Sequence, residues 1–374
     1  MRTLLHPIEL GTPGTRRELL SLHYGPDQQH SGRKAVLQAS LHADEVPGML
    51  VVHHLRHTLQ QLEEAGALRG EIVLLPAANP IGLSQWQQLA HQGRFDANSG
   101  ENFNRHYADL SRQAAERAAP RLTQDPTLNT AMLRQALRDS LAALPVSSEL
   151  QSLRKILLGL AIDADVVLDL HCDCEAVLHL YSATPLWPQA ERLARHLGVE
   201  LSLLANESGD APFDEACSQV WWRLGQIFAD RHPVPQACFA ATIEHRGYSD
   251  VGHGLAVQDA MAILAFLTER GFIDRPVSEP PPLRRAARPL EGSMPLHAPH
   301  AGILVFARAP GDEVRAGELI VELIDPLSGA ITPLLSPVDG LLFAREHRRY
   351  AHAGLRLAKI AGEQALRSGK LLSA

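Results

Sequence analysis

Apolar residues along this chain come in short unbroken runs separated by stretches at helical spacing. Ala35-Val-Leu-Gln-Ala-Ser-Leu41 reads as a buried strand and Pro47 to Glu64 as a helix. Glu71-Ile-Val-Leu-Leu-Pro76 reads as a second strand. Two apolar runs flanking a helical pattern predict a βαβ unit with parallel strands. Asp165-Val-Val-Leu-Asp-Leu170 and Ala237 to Ile243 are two further candidate strands, the latter followed by a helix over Asp259 to Arg270. This alternation predicts an α/β sheet with helices on its faces.

Between Leu110 and Leu160 the pattern changes. Ala131 to Leu141 repeats at helical spacing, and Pro120, Pro126 and Pro145 punctuate the segment. The expectation is a helical insertion at about 110–160. Near Ser278-Glu-Pro-Pro-Pro-Leu283 three consecutive prolines favour an extended linker. Beyond it come Gly302 to Phe306, Glu318 to Ile324 and Leu341 to Phe343, broken by Pro310-Gly311, Ser328-Gly329 and Asp339-Gly340. That pattern is all-β, with no room for helices until Glu363. The expected organisation is a catalytic domain over residues 1–283 and a β-rich domain over 284–374.

Length agrees with this division, since 374 residues exceed one ordinary core. The net charge of −7 is dispersed, with no basic stripe, so nucleic acid is not an expected partner. The first ten residues carry Arg2, His6 and Glu9 and no apolar core of a secretory signal. No stretch approaches the roughly 20 apolar residues that span a bilayer, so a cytoplasmic protein that does not enter membranes is expected. Four cysteines make no dense disulfide framework.

The candidate chemistry lies where the strands end. His42-Ala-Asp-Glu45 follows the first strand and precedes a helix, at the carboxyl lip where open α/β sheets bind ligands. A His and a Glu three residues apart can meet one ion, and zinc accepts both donor types. The bland reading is a helix start whose acids favour the positive helix end. Asp169-Leu-His171 ends another strand. His42, Glu45 and His171 together make a His₂Glu set, which leaves a catalytic zinc one open position. Asp169 shares the face of His171 and is a candidate outer partner, or a plain structural acid. Thr242-Ile-Glu244 ends a third strand, where a carboxylate can take a proton from water and pass it to a leaving amine. Asn102-Phe-Asn104-Arg105-His106 suits capture of a substrate carboxylate, and Arg94 can polarise a scissile carbonyl. Taken singly, such arginines and Glu244 are more often surface charges.

In combination and order these motifs resemble the succinylglutamate desuccinylase/aspartoacylase family, a branch of the zinc carboxypeptidase-like hydrolases. The resemblance runs through His42-x-x-Glu45, Asn79-Pro80-x-Gly82, Phe103-Asn104-Arg105, Asp169-Leu-His171 and Thr242-x-Glu244, over roughly residues 33–270. It implies a mixed α/β carboxypeptidase-like sheet and one Zn²⁺ per chain on His42, Glu45 and His171. It implies Glu244 as general base and acid, Asn104 and Arg105 as the substrate-carboxylate site, and Arg94 as the carbonyl-polarising group. The implied reaction is hydrolysis of the amide of a small N-acyl amino acid or N-acyl amine. Family members usually carry Asp-Leu-Asn-Arg where this chain has Asn102-Phe-Asn-Arg105, a departure that bears on the substrate.

Several signals are set aside. Cys172 and Cys174 beside His171 read as small buried residues, His53, His54 and His57 as exposed helix positions, and Trp221 and Trp222 as packing residues. Arg246 and Tyr248 are candidate substrate contacts only. Residues 302–362 resemble a biotinyl- or lipoyl-type barrel sandwich, but the hairpin Asp325 to Ala330 has no lysine for a carried group. That segment is read as a structural or oligomerising module, compatible with a homo-oligomer, or as a lid over the active site. Competing functions are a metallocarboxypeptidase acting on short peptides and a non-catalytic metal-binding protein on the same fold.

Overall fold

The computed structural model describes residues 1–372. Its centre is a nine-stranded mixed sheet. In chain order the strands are β1 (Arg2–Pro7), β2 (Glu18–Tyr24), β3 (Lys34–Ala39), β4 (Glu71–Leu75), β5 (Val166–Asp173), β6 (His179–Ser182), β7 (Leu201–Leu204), β8 (Phe239–Gly247) and β9 (Arg288–Pro289). Their spatial order is β1-β2-β4-β3-β5-β8-β6-β7-β9. Strands β4, β3, β5 and β8 run parallel, while β2 and β6 are antiparallel to their neighbours β4 and β8.

The central strands are covered on both faces, which explains their unbroken apolar runs. Alternate residues feed two cores. Leu37, Leu168 and Leu170 pack with helices α1 (Pro47–Glu64), α5 (Trp187–Leu197) and α7 (His253–Glu269). Val36, Val167 and Ala240 pack on the other side with α2 (Ser111–Ala118), α3 (Pro126–Ala142), α4 (Glu149–Ala161) and α6 (Phe213–Phe228). The helical excursion is therefore the second covering layer of the sheet, with Leu133, Leu137, Leu153 and Leu157 buried in its core. Its helices start where the chain supplies caps: Asp125 accepts from Thr127 and Leu128 N–H ahead of α3, and Ser148 from Gln151 N–H ahead of α4.

The C-terminal part is all β. Its strands are β10 (Ser293–His297), β11 (Gly302–Phe306), β12 (Glu313–Val314), β13 (Leu319–Ile324), β14 (Ile331–Leu335), β15 (Gly340–Arg345), β16 (Tyr350–Ala351) and β17 (Arg356–Ala361). They form two open antiparallel sheets, β10-β17-β15-β12 and β14-β13-β11-β16, and close no barrel among the described residues. The chain after Glu363 forms no helix as far as Leu372. Two features tie this part to the large sheet. Strand β9 lies beyond the proline linker yet pairs with β7, and Glu175–Ala176, just after β5, adds a strand to β15. The hairpin at Asp325 closes on its own side chain, which accepts from Leu327 N–H and Ser328 Oγ. No described helix is long and apolar enough to cross a membrane.

Candidate active site

Because β3, β5 and β8 are parallel, their carboxyl ends share one lip of the sheet. The loop from Ser40 to Val46 leaves β3 with Ser40 in the left-handed region (φ 64°). Asn79 fixes the loop from the next crossover: its Nδ2 donates to Leu41 O at 2.9 Å, and its Oδ1 accepts Gly82 N–H at 2.8 Å. The segment carrying Arg94 is laced to the same loop, with Ala43 N–H donating to Gly93 O at 2.9 Å. A Cβ on Gly93 would lie 2.2 Å from Asp44 N, so only glycine permits that approach.

These constraints bring His42, Glu45 and His171 together, all buried. His42 Nδ1 lies 2.8 Å from Glu45 Oε1, and His171 Nδ1 lies 2.7 Å from Glu45 Oε2. The far ring nitrogens are also held. His42 Nε2 lies 2.8 Å from Asn102 Oδ1, and His171 Nε2 lies 2.8 Å from Asp169 Oδ2. Asp169 is in turn fixed by Gln38, whose Nε2 donates to Oδ1 at 3.0 Å. The acceptor behind His42 favours its Nε2–H tautomer and leaves Nδ1 for an ion, while Asp169 stands by His171 as a charge partner whose Oδ2 makes no hydrogen bond. Two imidazole nitrogens and a carboxylate within 4.8 Å of one another are a donor set suited to a divalent cation. Burial, and then the Arg94 guanidinium, pull His42 down to about 4 and keep it neutral. Burial works against His171 as a cation, but Asp169 and Glu45 outweigh it and raise that histidine well above its ordinary value.

Glu244 stands opposite His171 on the neighbouring strand. Burial and then the Glu45 carboxylate push it up to about 8, and its Oε2 has no hydrogen-bond partner. Arg94 Nη1 lies 3.1 Å from Glu45 Oε1 and 3.2 Å from His42 Nδ1, at the edge of the same cluster. Asn104 is committed to the scaffold: its Oδ1 accepts Phe213 N–H at 2.9 Å, and its Nδ2 lies 3.4 Å from His171 Nε2. Arg105 donates to Asn104 O at 2.7 Å, and both residues line the cavity.

That cavity encloses about 660 Å³. Its floor holds His42, Glu45, His171, Arg94 and Glu244, and its roof comes from the β domain through Arg345, His347, Arg348, Arg356 and Lys359. Tyr248 also lines it, with its hydroxyl 3.5 Å from Asp44 Oδ2. Arg246 does not; its guanidinium makes two bonds to Asp259, at 2.8 and 3.1 Å. Cys172 is buried, with its thiol pushed up by burial and then by Glu45. Cys174 lies near Glu346 and His347, but Glu346 is already engaged by Arg348. Of the α1 histidines, His54 meets His253 at 3.0 Å and His57 meets Gln61. Trp221 is buried in the core. Asn102 is the residue whose contact the motifs did not disclose; its position two before Asn104 was the available signal.

The family model of the succinylglutamate desuccinylase/aspartoacylase catalytic domain matches residues 31–227. The chain belongs to this family. Solved structures agree over nearly the full length. A Shewanella amazonensis SB2B protein assigned to the family is similar at a TM-score of 0.82 and 26% identity, covering 96% of this chain and 98% of that one. A Shewanella frigidimarina NCIMB 400 protein assigned to the family gives 0.82 and 26%, covering 96% of each chain. The product-bound ectoine utilization protein EutE (DoeB) of Ruegeria pomeroyi shares the fold, at 0.67 and 12% identity, with 96% of this chain and 94% of that one covered. No curated protein is significantly similar in sequence. Family membership makes the chain one of a group of hydrolases, with a buried His-Glu-His cluster at the lip of its sheet.

Proposed function

We propose that this protein is a zinc-dependent deacylase that hydrolyses the amide bond of a small N-acyl amino acid or N-acyl amine. The observation that carries the reading is the convergence of His42 Nδ1 and His171 Nδ1 on the two oxygens of Glu45, with Asn102 accepting at His42 Nε2 and the Asp169 carboxylate beside His171 Nε2. His42, Glu45 and His171 would hold the ion. Bound there, a zinc ion supplies Lewis acidity that polarises a carbonyl and lowers the pKa of water.

The chain's own groups do the rest. Glu244, unpartnered at its Oε2 and favoured in its charged form by a cation in the neighbouring site, would take a proton from the attacking water and return it to the leaving amine. Arg94 offers its guanidinium to the oxygen that gains charge. Arg105, on the cavity wall, receives the substrate carboxylate, and Asn104 holds the wall in register by accepting Phe213 N–H. A cavity of about 660 Å³ is of a size suited to a small molecule, and the family favours deacylation over digestion of longer chains.

The test is metal content by elemental analysis of untagged protein, wild type against His171→Ala, followed by assays on N-acyl amino acids and dipeptides. About one zinc per chain in the wild type, lost in the variant, with turnover of N-acyl amino acids alone, is expected. Turnover of dipeptides alone would make the protein a carboxypeptidase. A wild type that takes up no zinc at micromolar concentration defeats the reading.

A further inference from the structure

The β domain touches the catalytic strands at one buried charged contact. Lys359, on β17, pairs its ammonium with Asp173 Oδ2, and both side chains are largely shielded, at 14% and 10% exposure. The ammonium also lies 5.7 Å from the centre of the Phe343 ring. Asp173 is the last residue of β5, two beyond His171. It is the register partner of Gly247 on β8, just past the irregularity that follows Glu244. Its other oxygen accepts the N–H of its own neighbour Cys174 at 2.8 Å. One lysine of a separate β domain therefore grips the joint end of the two strands that carry His171 and Glu244.

A buried carboxylate stripped of its cation costs far more than the pair contributes. Without Lys359, Asp173 would be left to the neighbouring Arg356 and to water, and the strand end would follow it. We propose that Lys359 is a positioning residue of the catalytic centre, acting through Asp173 on the strand ends that place His171 and Glu244. The β domain is then a working part of the metal site as well as a cover. The inference rests on the reading of His42, Glu45 and His171 as the metal centre.

The experiment uses the full chain, stripped of metal and reloaded with zinc or cobalt. Zinc affinity is measured by chelator competition and geometry by the cobalt absorption spectrum. Four variants are compared: Lys359→Met, Lys359→Arg, Lys359→Met with Asp173→Asn, and Arg285→Ala. The last removes a different link, since Arg285 bridges Glu200 on the catalytic side and Glu313 on the β side away from Asp173. Lys359→Met is expected to weaken zinc binding about tenfold, as loss of outer partners of a metal site does, and to shift the cobalt spectrum. Lys359→Arg and the double variant should return to within about twofold of wild type, because arginine restores a cation beside Asp173 and the double variant removes the stranded charge. Arg285→Ala should leave both readouts unchanged.

Unchanged affinity in Lys359→Met overturns the proposal. So does failure of the double variant to recover, or an equal loss in Arg285→Ala, which would reduce the contact to ordinary docking. If Lys359→Met does not fold, the double variant and Lys359→Arg decide the matter by the same measures. A wild type that binds neither ion would instead overturn the metal-centre reading.

Discussion

The loop at residues 40–46 and strand β17 face each other across one cavity, yet they are held by different means. The loop is fixed by uncharged bonds from nearby turns: Asn79 to Leu41, Ala43 to Gly93, and Glu45 N–H to His42 O. The roof is fixed across the domain boundary by ion pairs, Lys359 with Asp173 and Arg345 and Arg349 with Glu175. Short neutral bonds set positions tightly and respond little to salt. The partly exposed Glu175 pairs are weaker and screened, whereas the Lys359–Asp173 pair is largely shielded. The floor is therefore the part suited to orient reacting groups, while the Glu175 edge of the roof is held less tightly than its Lys359 contact.

The largest effect expected from this contrast falls on the floor. Glu244→Gln removes the proton carrier and leaves the three ligating side chains in place. Turnover should fall about 10²–10⁴-fold, with zinc content unchanged by elemental analysis. Arg348→Ala on the roof, which frees Glu346 from its bidentate partner, should cost far less and act on KM rather than kcat. Comparable losses in kcat would show that floor and roof are one machine and erase the distinction.

A smaller effect sharpens the floor itself. Asp169→Asn removes the charge beside His171, and Asn102→Leu removes the acceptor behind His42. Each should weaken zinc binding about 10–100-fold in chelator competition, and Asp169→Asn should be the more damaging because it also deletes a charge. Equal affinity in both variants and wild type would mean that the rings are oriented by packing alone.

The same contrast decides what could be read from the chain. Central strands such as β3 and β5 announce themselves because helices cover both faces, so their apolar runs are unbroken. The edge strand β1 shows mostly exposed residues, including Leu4 and Leu5, and its pattern carries no core signal. The cluster of His42, Glu45 and His171 was legible because His42 and Glu45 share one turn just past β3 and His171 lies near the carboxyl end of β5. The roof was not. Lys359 and Asp173 are 186 residues apart, and nothing in Ala358-Lys-Ile360 marks a lysine that will be buried in a cavity. That pairing depends on how two domains dock, which periodicity does not encode. Asn102 lies between these cases: it sits in the recognised motif, but its bond to His42 spans 60 positions.

The smallest expected effect concerns stability, and it probes the floor without any substrate. In the metal-free protein Glu244 is raised from 4.5 to about 8, by burial first and the Glu45 charge second. The folded chain thus keeps this proton between pH 4.5 and 8, whereas the unfolded chain has lost it. Stability from the group is complete below its unfolded value, declines as pH rises through that window, and is level above it. A neutral amide escapes this decline. Metal-free Glu244→Gln should therefore melt close to wild type at pH 5 and a few degrees above it at pH 8.5, by calorimetry in matched buffers. Zinc should narrow the gap at pH 8.5, since a cation beside Glu244 favours its charged form. Melting curves that stay parallel from pH 5 to 8.5 would mean that water reaches Glu244 freely in the metal-free state. The burial that raises Glu244 beneath the roof would then be absent, and with it the shielding that sets this carboxyl apart from the exposed acids.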